Sequence, residues 1–450
     1  MQLQESFIIR TKELLGNEWL PFYGALSEES PVSIRLNPRK ASLDVLSGAL
    51  PLSESIPWAE EGYYLYSRPS FTLDPLFHAG CYYVQEASSM ILEHFVRNYF
   101  PQPAKVLDLC AAPGGKSTHL SALLTVDSLL VANEVIRSRA GILSENLIKW
   151  GNPNSLVTCN DPLEIGKSLP GFFDVVVADL PCSGEGMFRK DPAVIAEWSL
   201  NNVRLCAERQ RRIVADIWTA LKPGGILIYS TCTYNREENE ENLVWICREL
   251  NGELIEEPRR MMPHKIKGEG FFIAGIRKKE TTSREQTAKG KGERKKSKGE
   301  KSDVLRSLPF AQCISFPDRF ILVSDNARWI AVPAIHYPDY LQIKNSLRIF
   351  SAGVALGEIK GRDWIPAHGL AMSIVLSETA FPRWEVDKET ALSYLRKEVL
   401  QNIPLNLPKS YVLITYKEHP LGFVKNIGTR ANNLYPQEWR IRKVVSSHYQ

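Results

Sequence analysis

Two cysteines in this chain follow apolar runs of the kind that form buried strands. The segment "VVVADLPCSGEGMFRKDP" (175–192) carries Cys182 shortly after Asp179, and "GGILIYSTCTY" (224–234) carries Cys232. A thiolate is a strong nucleophile, and a carboxyl group beside it can stabilise charge that develops on a bound base. Two thiols and an acid at neighbouring strand ends therefore indicate covalent catalysis.

This arrangement suits methyl transfer to carbon 5 of cytosine or uracil. That carbon is too weak a nucleophile to take a methyl group unaided. A thiolate that adds to carbon 6 breaks the aromaticity and makes carbon 5 enamine-like, and an acid near N3 stabilises the developing charge. Methylation of an oxygen or an exocyclic amine would give neither Cys182 nor Cys232 a role.

A glycine-containing loop and three strand-end acids predict a cofactor pocket. In "DLCAAPGGKSTHL" (108–120), Gly114 and Gly115 allow a tight turn, and the next helix offers free N–H groups. Glu134, Asp161 and Asp179 each end a later strand. The loop lacks the spaced glycines of a pyrophosphate-binding NAD loop, which favours S-adenosyl-L-methionine with its amino-acid tail. In the alternative reading the acids are solvated turn residues and helix caps.

The elements that must hold these residues alternate between strand and helix over 105–277. Short apolar strands without alternation, such as "AKVLDL" and "FDVVVADL", are typical of parallel strands covered on both faces. The fold class predicted is α/β, a Rossmann-like methyltransferase domain. "GEGFFIAGIRK" (268–278) is expected to be its antiparallel edge strand. Carboxyl ends of parallel strands share one edge, where ligands bind.

Four regions are expected along the chain. Residues 1–60 predict a small N-terminal α+β extension that binds RNA, and 61–276 the methyltransferase domain. Residues 277–303 are rich in Lys, Glu, Gly and Ser and predict a flexible basic linker, either a solvated tether or an arm that contacts RNA phosphates. Short glycine-containing strands over 304–450 predict a β-rich C-terminal module.

Composition excludes several classes of protein. The 450 residues are 44% hydrophobic with a net charge of +4, which allows a nucleic-acid partner without requiring one. The sequence contains no Cys-x-x-Cys pair and no His cluster, so we do not expect a metal site. No signal peptide or long apolar run is visible, so we expect a reduced cytoplasmic protein without a membrane anchor. Five cysteines read as small buried side chains: Cys81, Cys159, Cys206, Cys247 and Cys313.

Four segments together resemble the Nop/Sun family of RNA cytosine-5 methyltransferases. They are "YVQEASSM", "DLCAAPGGKSTHL", "DLPCSGEGMFRKDP" and "LKPGGILIYSTCTYNREENEENL". The resemblance implies that Cys232 is the nucleophile, that Cys182 helps resolve the covalent intermediate and that Asp179 contacts the base. It also implies a cofactor site for S-adenosyl-L-methionine formed by Cys110, Ala111, Ala112, Pro113, Gly114, Gly115, Lys116, Glu134, Asp161 and Asp179.

The C-terminal segments resemble the bacterial 16S ribosomal RNA branch of that family and end in a module similar to a PUA-like RNA-binding domain. This implies ribosomal RNA or the small ribosomal subunit as the partner, near the decoding region, and we take a monomer as the default. Two alternatives stay open. In DNA cytosine-5 methyltransferases the Pro-Cys cysteine attacks, which here would be Cys182. The chain could also be a non-catalytic RNA-binding or ribosome-assembly factor.

Overall fold

The computed structural model describes residues 3–280, 310–325, 327–361, 363–401 and 403–442. Residues 281–303 of the predicted linker therefore lie outside the described part of the chain.

The N-terminal region contains a four-stranded antiparallel sheet of order β2-β3-β1-β4. Its elements are α1 (Glu5–Leu15), α2 (Trp19–Ala25), β1 (Val32–Leu36), α3 (Leu43–Ser47), β2 (Leu52–Ser55), β3 (Gly62–Leu65), α4 (Pro75–His78) and β4 (Tyr82–Val84). The sheet crosses the boundary expected at residue 60, because β1 pairs with β3 and β4 beyond it.

A second sheet forms the domain for which a methyltransferase fold was predicted, and it is called the methyltransferase sheet below. Its strands are β5 (Lys105–Asp108), β6 (Leu129–Asn133), β7 (Ser155–Thr158), β8 (Phe173–Asp179), β9 (Leu221–Thr231), β10 (Gly252–Leu254), β11 (Arg259–Met261) and β12 (Phe271–Lys278). Its helices are α5 (Leu92–Tyr99), α6 (Gly115–Leu123), α7 (Arg137–Trp150), α8 (Pro162–Ser168), α9 (Pro192–Glu197), α10 (Leu200–Trp218) and α11 (Glu240–Glu249).

The strand order of this sheet explains why the candidate residues meet. The parallel strands run in the order β9-β8-β5-β6-β7, so the chain reverses direction across the sheet at β5. Residues 175–178 of β8 are all buried, as the apolar run predicted. The α/β prediction is confirmed. The carboxyl ends of β5 and β8 adjoin at the reversal, which is where such sheets bind ligands.

The C-terminal region contains two more four-stranded sheets, β13-β14-β16-β17 and β18-β19-β20-β21. Its elements are β13 (Phe320–Asp325), β14 (Arg328–Pro333), α12 (Tyr337–Ser346), β15 (Ile349–Ala352), β16 (Val354–Lys360), β17 (Asp363–Pro366), α13 (His368–Met372), β18 (Arg383–Glu385), α14 (Lys388–Leu395), β19 (Tyr411–Tyr416), β20 (His419–Asn426) and β21 (Ala431–Asn433).

The C-terminal region is joined to both earlier parts of the molecule. Strand β15 pairs antiparallel with β7 and so extends the methyltransferase sheet. Trp384 and Tyr394 of the last module share a buried cluster with Ile34 and Leu36 of the N-terminal sheet. These contacts cross the region boundary expected at 303.

The structure corrects the prediction that residues 268–278 form an edge strand of the methyltransferase sheet. Strand β12 is antiparallel to β9, as predicted, but β10 pairs with its outer side. At the opposite end the edge strand is β15 rather than β7. The pattern of "GEGFFIAGIRK" indicates a buried strand and carries no information about which partner covers it, so its edge position was wrong.

Candidate active site

The glycine loop follows β5 and is tied to its neighbouring strands. The Leu109 N–H donates to the Val177 carbonyl over 2.8 Å, and the Ala111 N–H donates to the Asn133 carbonyl over 2.9 Å. Gly114 has φ +120°, a conformation that L side chains rarely adopt, and it immediately precedes α6. The loop therefore presents backbone groups and the start of a helix at the reversal point of the sheet.

The strand-end acids occupy different settings. Glu134 is buried, accepts the Ile136 N–H over 3.0 Å and pairs with Arg139 over 3.2 Å. Arg139 also donates to the Ala112 carbonyl over 2.9 Å, so its guanidinium bridges the acid and the glycine loop. Asp161 is exposed and forms a capping box at the start of α8, as the alternative reading would have it.

Asp179, at the end of β8, forms an ion pair that the sequence did not indicate. Its Oδ2 lies 2.7 Å from the Lys116 Nζ, and its Oδ1 accepts the Ser230 hydroxyl over 2.8 Å. Burial disfavours the charged ammonium, but the Asp179 carboxylate outweighs it and raises the pKa of Lys116. Lys116 also interacts electrostatically with Cys232, so one ammonium group interacts with both the acid and the thiol.

The two thiols predicted to act together are in contact. The Sγ atoms of Cys182 and Cys232 lie 3.2 Å apart, and both residues are partly buried. The hydrogen bond with Cys232, followed by burial, raises the pKa of Cys182 well above its usual range. At neutral pH the Cys182 thiol therefore keeps its proton, in contact with the other sulfur.

The remaining cysteines differ in burial. Cys81, Cys206 and Cys313 are buried, whereas Cys159 and Cys247 are only partly buried, a correction for those two. Cys110 is also partly buried. Burial, followed by the charges of nearby acids, raises the pKa of the Cys110 thiol.

A groove lies between the N-terminal sheet and the loop that follows Cys182. It encloses about 1040 Å³ and is lined on one side by residues 65–68 and on the other by Arg189, Lys190 and Lys267. Tyr66 stands 81% exposed in this groove, and Arg68 is exposed beside it. Glu28 and Glu29 also line it. An exposed aromatic ring among cations is typical of surfaces that bind single-stranded nucleic acid.

Sequence reasoning missed three kinds of participant. Lys116 was placed in the cofactor loop with no role at Asp179, and Arg139 was not considered. Glu185 and Glu238 were also overlooked, although the segments "CSGEG" and "REENE" contain them beside the thiol motifs. The short distance in sequence between these acids and the candidate nucleophiles could have indicated that they take part in the site.

Neither a metal-binding cluster nor a membrane-spanning helix is found among the described residues. Over those residues, no group of three or more His, Cys, Asp or Glu side chains is placed to hold a metal ion. Nor does the described part of the chain contain a helix that is both long and apolar enough to span a bilayer.

Three family descriptions match successive parts of the chain. "16S rRNA methyltransferase RsmB/F" matches residues 100–277, "N-terminal domain of 16S rRNA methyltransferase RsmF" matches 3–87, and "Methyltransferase RsmF PUA domain" matches 381–441. The middle match spans both cysteine loops and the glycine loop.

Curated relatives cover nearly the whole chain. The ribosomal RNA small subunit methyltransferase F of Pectobacterium atrosepticum is 32% identical, over 90% of this chain and 89% of that protein. The protein of the same name from Escherichia coli O81 is 30% identical, over 96% of each.

Solved structures support the same fold. A methyltransferase homologue from Pyrococcus horikoshii has a TM-score of 0.54 and 31% identity, over 61% of this chain and 95% of its own. The NSun6 protein of that organism, also at a TM-score of 0.54, is 22% identical over 62% of this chain and 99% of its own.

Proposed function

The chain belongs to the ribosomal RNA small subunit methyltransferase F family, and from that premise we propose that it methylates carbon 5 of cytosine in 16S rRNA through a cysteine adduct on carbon 6. Methylation of ribosomal RNA from S-adenosyl-L-methionine is the activity of the family, and the resemblance to Nop/Sun enzymes is thereby confirmed. The observation that supports the finer assignment is the contact between the Cys182 and Cys232 thiols beside the Asp179–Lys116 pair.

The residues at the reversal point fit the donor chemistry of S-adenosyl-L-methionine. Glu134 offers a buried carboxylate that can accept ribose hydroxyls, and the glycine loop offers backbone groups to an amino-acid tail. Asp161 is proposed with them, in addition to its capping role. When bound, S-adenosyl-L-methionine supplies an electrophilic methyl group to carbon 5.

Cys232 is proposed as the nucleophile. Its thiolate would form a bond to carbon 6 of cytosine, and the carbon 5–carbon 6 double bond would give its electrons to the ring. The Lys116 ammonium, which interacts electrostatically with Cys232, supplies a positive charge to this part of the site. Asp179 is held on both oxygens, by Lys116 and Ser230, and we propose that it contacts the edge of the base that carries N3.

Cys182 is proposed to complete the reaction. Once Cys232 is bonded to carbon 6 its sulfur carries no charge, so the largest cause of the raised pKa of Cys182 weakens. Cys182 can then release its own proton to solvent. Its thiolate takes the carbon 5 proton while the bond from sulfur to carbon 6 breaks and the double bond re-forms. The Cys232 thiolate leaves as it entered, so atoms and charge balance.

The groove beside the cysteine loop is proposed to hold the RNA strand next to the target cytosine. Tyr66 offers a stacking surface, and Arg68 and Lys190 offer charges to phosphates. Glu28 and Glu29 would disfavour phosphates at their own end, which restricts the strand to the basic side.

Two alanine variants test which cysteine attacks. With Cys182→Ala, attack and methyl transfer proceed but elimination stalls, so a protein–RNA adduct accumulates and survives denaturing electrophoresis. Adding Cys232→Ala removes that adduct, and Cys232→Ala alone abolishes methyl transfer while S-adenosyl-L-methionine still binds.

The DNA-type alternative predicts the reverse pattern. An adduct in Cys232→Ala protein and never in Cys182→Ala protein would overturn the assignment. Mapping 5-methylcytosine in 16S rRNA with and without the gene tests the product, and an unchanged map would contradict the proposed position of methylation.

A further inference from the structure

Two acids close to the thiols are fully enclosed and have no role in the steps above. Glu185 follows Cys182 in the chain and is 2% exposed, and Glu238 follows Cys232 and is 0% exposed. Within the described ranges neither forms an ion pair. Burying a carboxylate without a cation is costly unless hydrogen bonds replace water, so their partners explain why they are present.

Glu185 holds the backbone that follows the other cysteine. Its Oε2 accepts the Tyr234 N–H over 2.8 Å, the Asn235 N–H over 2.9 Å and the Thr233 hydroxyl over 2.7 Å. Its Oε1 accepts the Trp198 indole N–H over 3.0 Å. Three consecutive residues after Cys232 are therefore fixed by an acid from the Cys182 loop.

Glu238 holds the Cys182 loop in return. Its Oε2 accepts the Ser183 N–H over 3.0 Å and the Gln210 amide over 2.8 Å. The Gln210 amide also donates to the Pro181 carbonyl over 3.1 Å. The residues on both sides of Cys182 are thus tied to an acid from the Cys232 loop.

From this exchange we propose that Glu185 and Glu238 are positioning residues that set the distance between the two thiols. The inference rests on the proposed function, in which both thiols act on one base. Each loop supplies the acid that fixes the other, so neither sulfur can shift without breaking hydrogen bonds in the opposite loop. A direct backbone bond, Gly186 N–H to the Cys232 carbonyl over 2.8 Å, reinforces the same link.

A carboxylate, rather than an amide, is required at position 185. The two oxygens of Glu185 accept four hydrogen bonds and donate none. Glutamine has one oxygen, and its NH₂ group would face N–H donors whichever way it turned. Glu185→Gln therefore removes partners without changing the size of the side chain. Glu238→Gln does the same, because the other oxygen of Glu238 accepts the Asn235 amide over 2.8 Å and an NH₂ group would meet a donor in either orientation.

The experiment measures the rate of methylation and, separately, the spacing of the two thiols, both in the full-length protein. We expect kcat to fall about 100-fold in either glutamine variant, as a displacement near 1 Å can cause, while KM for RNA stays unchanged. Spacing is measured with phenylarsine oxide, whose arsenic bonds two adjacent thiols and releases water. Its affinity should fall in both variants, and Cys182→Ala should abolish this binding.

Glu93→Gln is the matched control. Glu93 is also buried at 4% exposure, and its side-chain partners His119 and Arg97 belong to neither cysteine loop. This control should lower the melting temperature without changing arsenical affinity or kcat. If Glu185→Gln and Glu238→Gln kept wild-type arsenical affinity, the proposal would be overturned whatever happened to kcat.

These arms separate two kinds of failure. If the wild-type protein did not methylate RNA, the proposed function would fail. The arsenical titration would still measure the thiol spacing. If the wild-type protein methylated cytosine and the glutamine variants did so at the wild-type rate, only the positioning role would fail.

Discussion

The thiol-bearing edge of the methyltransferase sheet and the C-terminal region are assembled in different ways. At the edge, the proposed catalytic and cofactor-binding residues lie between Cys110 and Cys232, at or shortly after the carboxyl ends of strands β5 to β9. The C-terminal region instead completes structures begun far earlier in the chain, through β15 on β7 and Tyr394 beside Ile34. Chemistry here depends on short loops, and stability depends on contacts between distant segments.

Truncation gives the largest expected effect on this comparison. A chain ending at Lys278 loses β15 and the last module, so β7 gains an open edge. The buried cluster around Ile34 and Leu36 also loses the side chains that the last module contributes to it. We expect no cooperative urea transition in the truncated chain. Supplying residues 310–450 as a separate polypeptide should restore it. A truncated chain with the full-length transition midpoint would show that the two regions are independent.

Two glycines in the C-terminal region test its junction with the sheet. Gly353 follows β15 with φ +56°, and a Cβ there would lie 2.2 Å from the Ala331 carbonyl oxygen. Gly361 has φ +62° with nothing within 4 Å of such a Cβ. We expect Gly353→Ala to lower the free energy of unfolding by about 3 kcal/mol and Gly361→Ala by about 1 kcal/mol. Equal losses in urea titrations would mean that the junction is not tightly packed.

A change at the cofactor edge should leave the fold intact. Glu134→Ala removes the proposed acceptor for the ribose hydroxyls, and we expect S-adenosyl-L-methionine binding to weaken by about 1.5–3 kcal/mol. Calorimetry measures the loss, and an unchanged urea midpoint shows that the protein is folded. Unaltered affinity in the folded variant would remove Glu134 from the cofactor site.

Acid should weaken the C-terminal contacts modestly. Burial, followed by the charge of Lys149, lowers the pKa of His78 and of His368 to about 3, and Lys40 adds to this at His368. Both stay neutral when folded, so the unfolded chain binds more protons as pH falls below 6.5 and stability decreases. Between pH 7.5 and 5.5 each histidine should cost about 1.4 kcal/mol.

His368→Phe checks the origin of that slope. The ring contacts with Tyr435 and Trp439 can be kept by phenylalanine, whereas the titrating group is removed. The melting temperature of this variant should fall less between pH 7.5 and 5.5 than that of the wild type. The same fall in both proteins would assign the pH dependence to other groups.

Much of the thiol edge was predictable because strand ends can be read from local patterns. The apolar run before Asp179, the glycines of the loop and the cysteine at 232 all sit where the sequence indicated. The partners of these groups were not predictable. Lys116 reaches Asp179 across the reversal of the sheet, and Glu185 acts on the opposite loop, so each contact depends on a packing that no local pattern encodes.

The C-terminal contacts escaped prediction for a related reason. The short strand at 349–352 has the pattern of any partly buried strand, and nothing in it specifies β7 as its partner. The same holds for Trp384 and Tyr435, whose apolar surfaces could have closed a core of their own module. Both instead share one buried cluster with Ile34 and Leu36 of the N-terminal sheet.

The core shared by the first and last parts of the chain bears on how the protein is made. Translation releases Ile34 and Leu36 long before Tyr394 and Tyr435 exist, so the nascent N-terminal sheet carries an uncovered apolar face during most of its synthesis. Such surface promotes aggregation and attracts chaperones until it is covered. The enzyme can therefore reach its final form only after its last module has emerged from a ribosome.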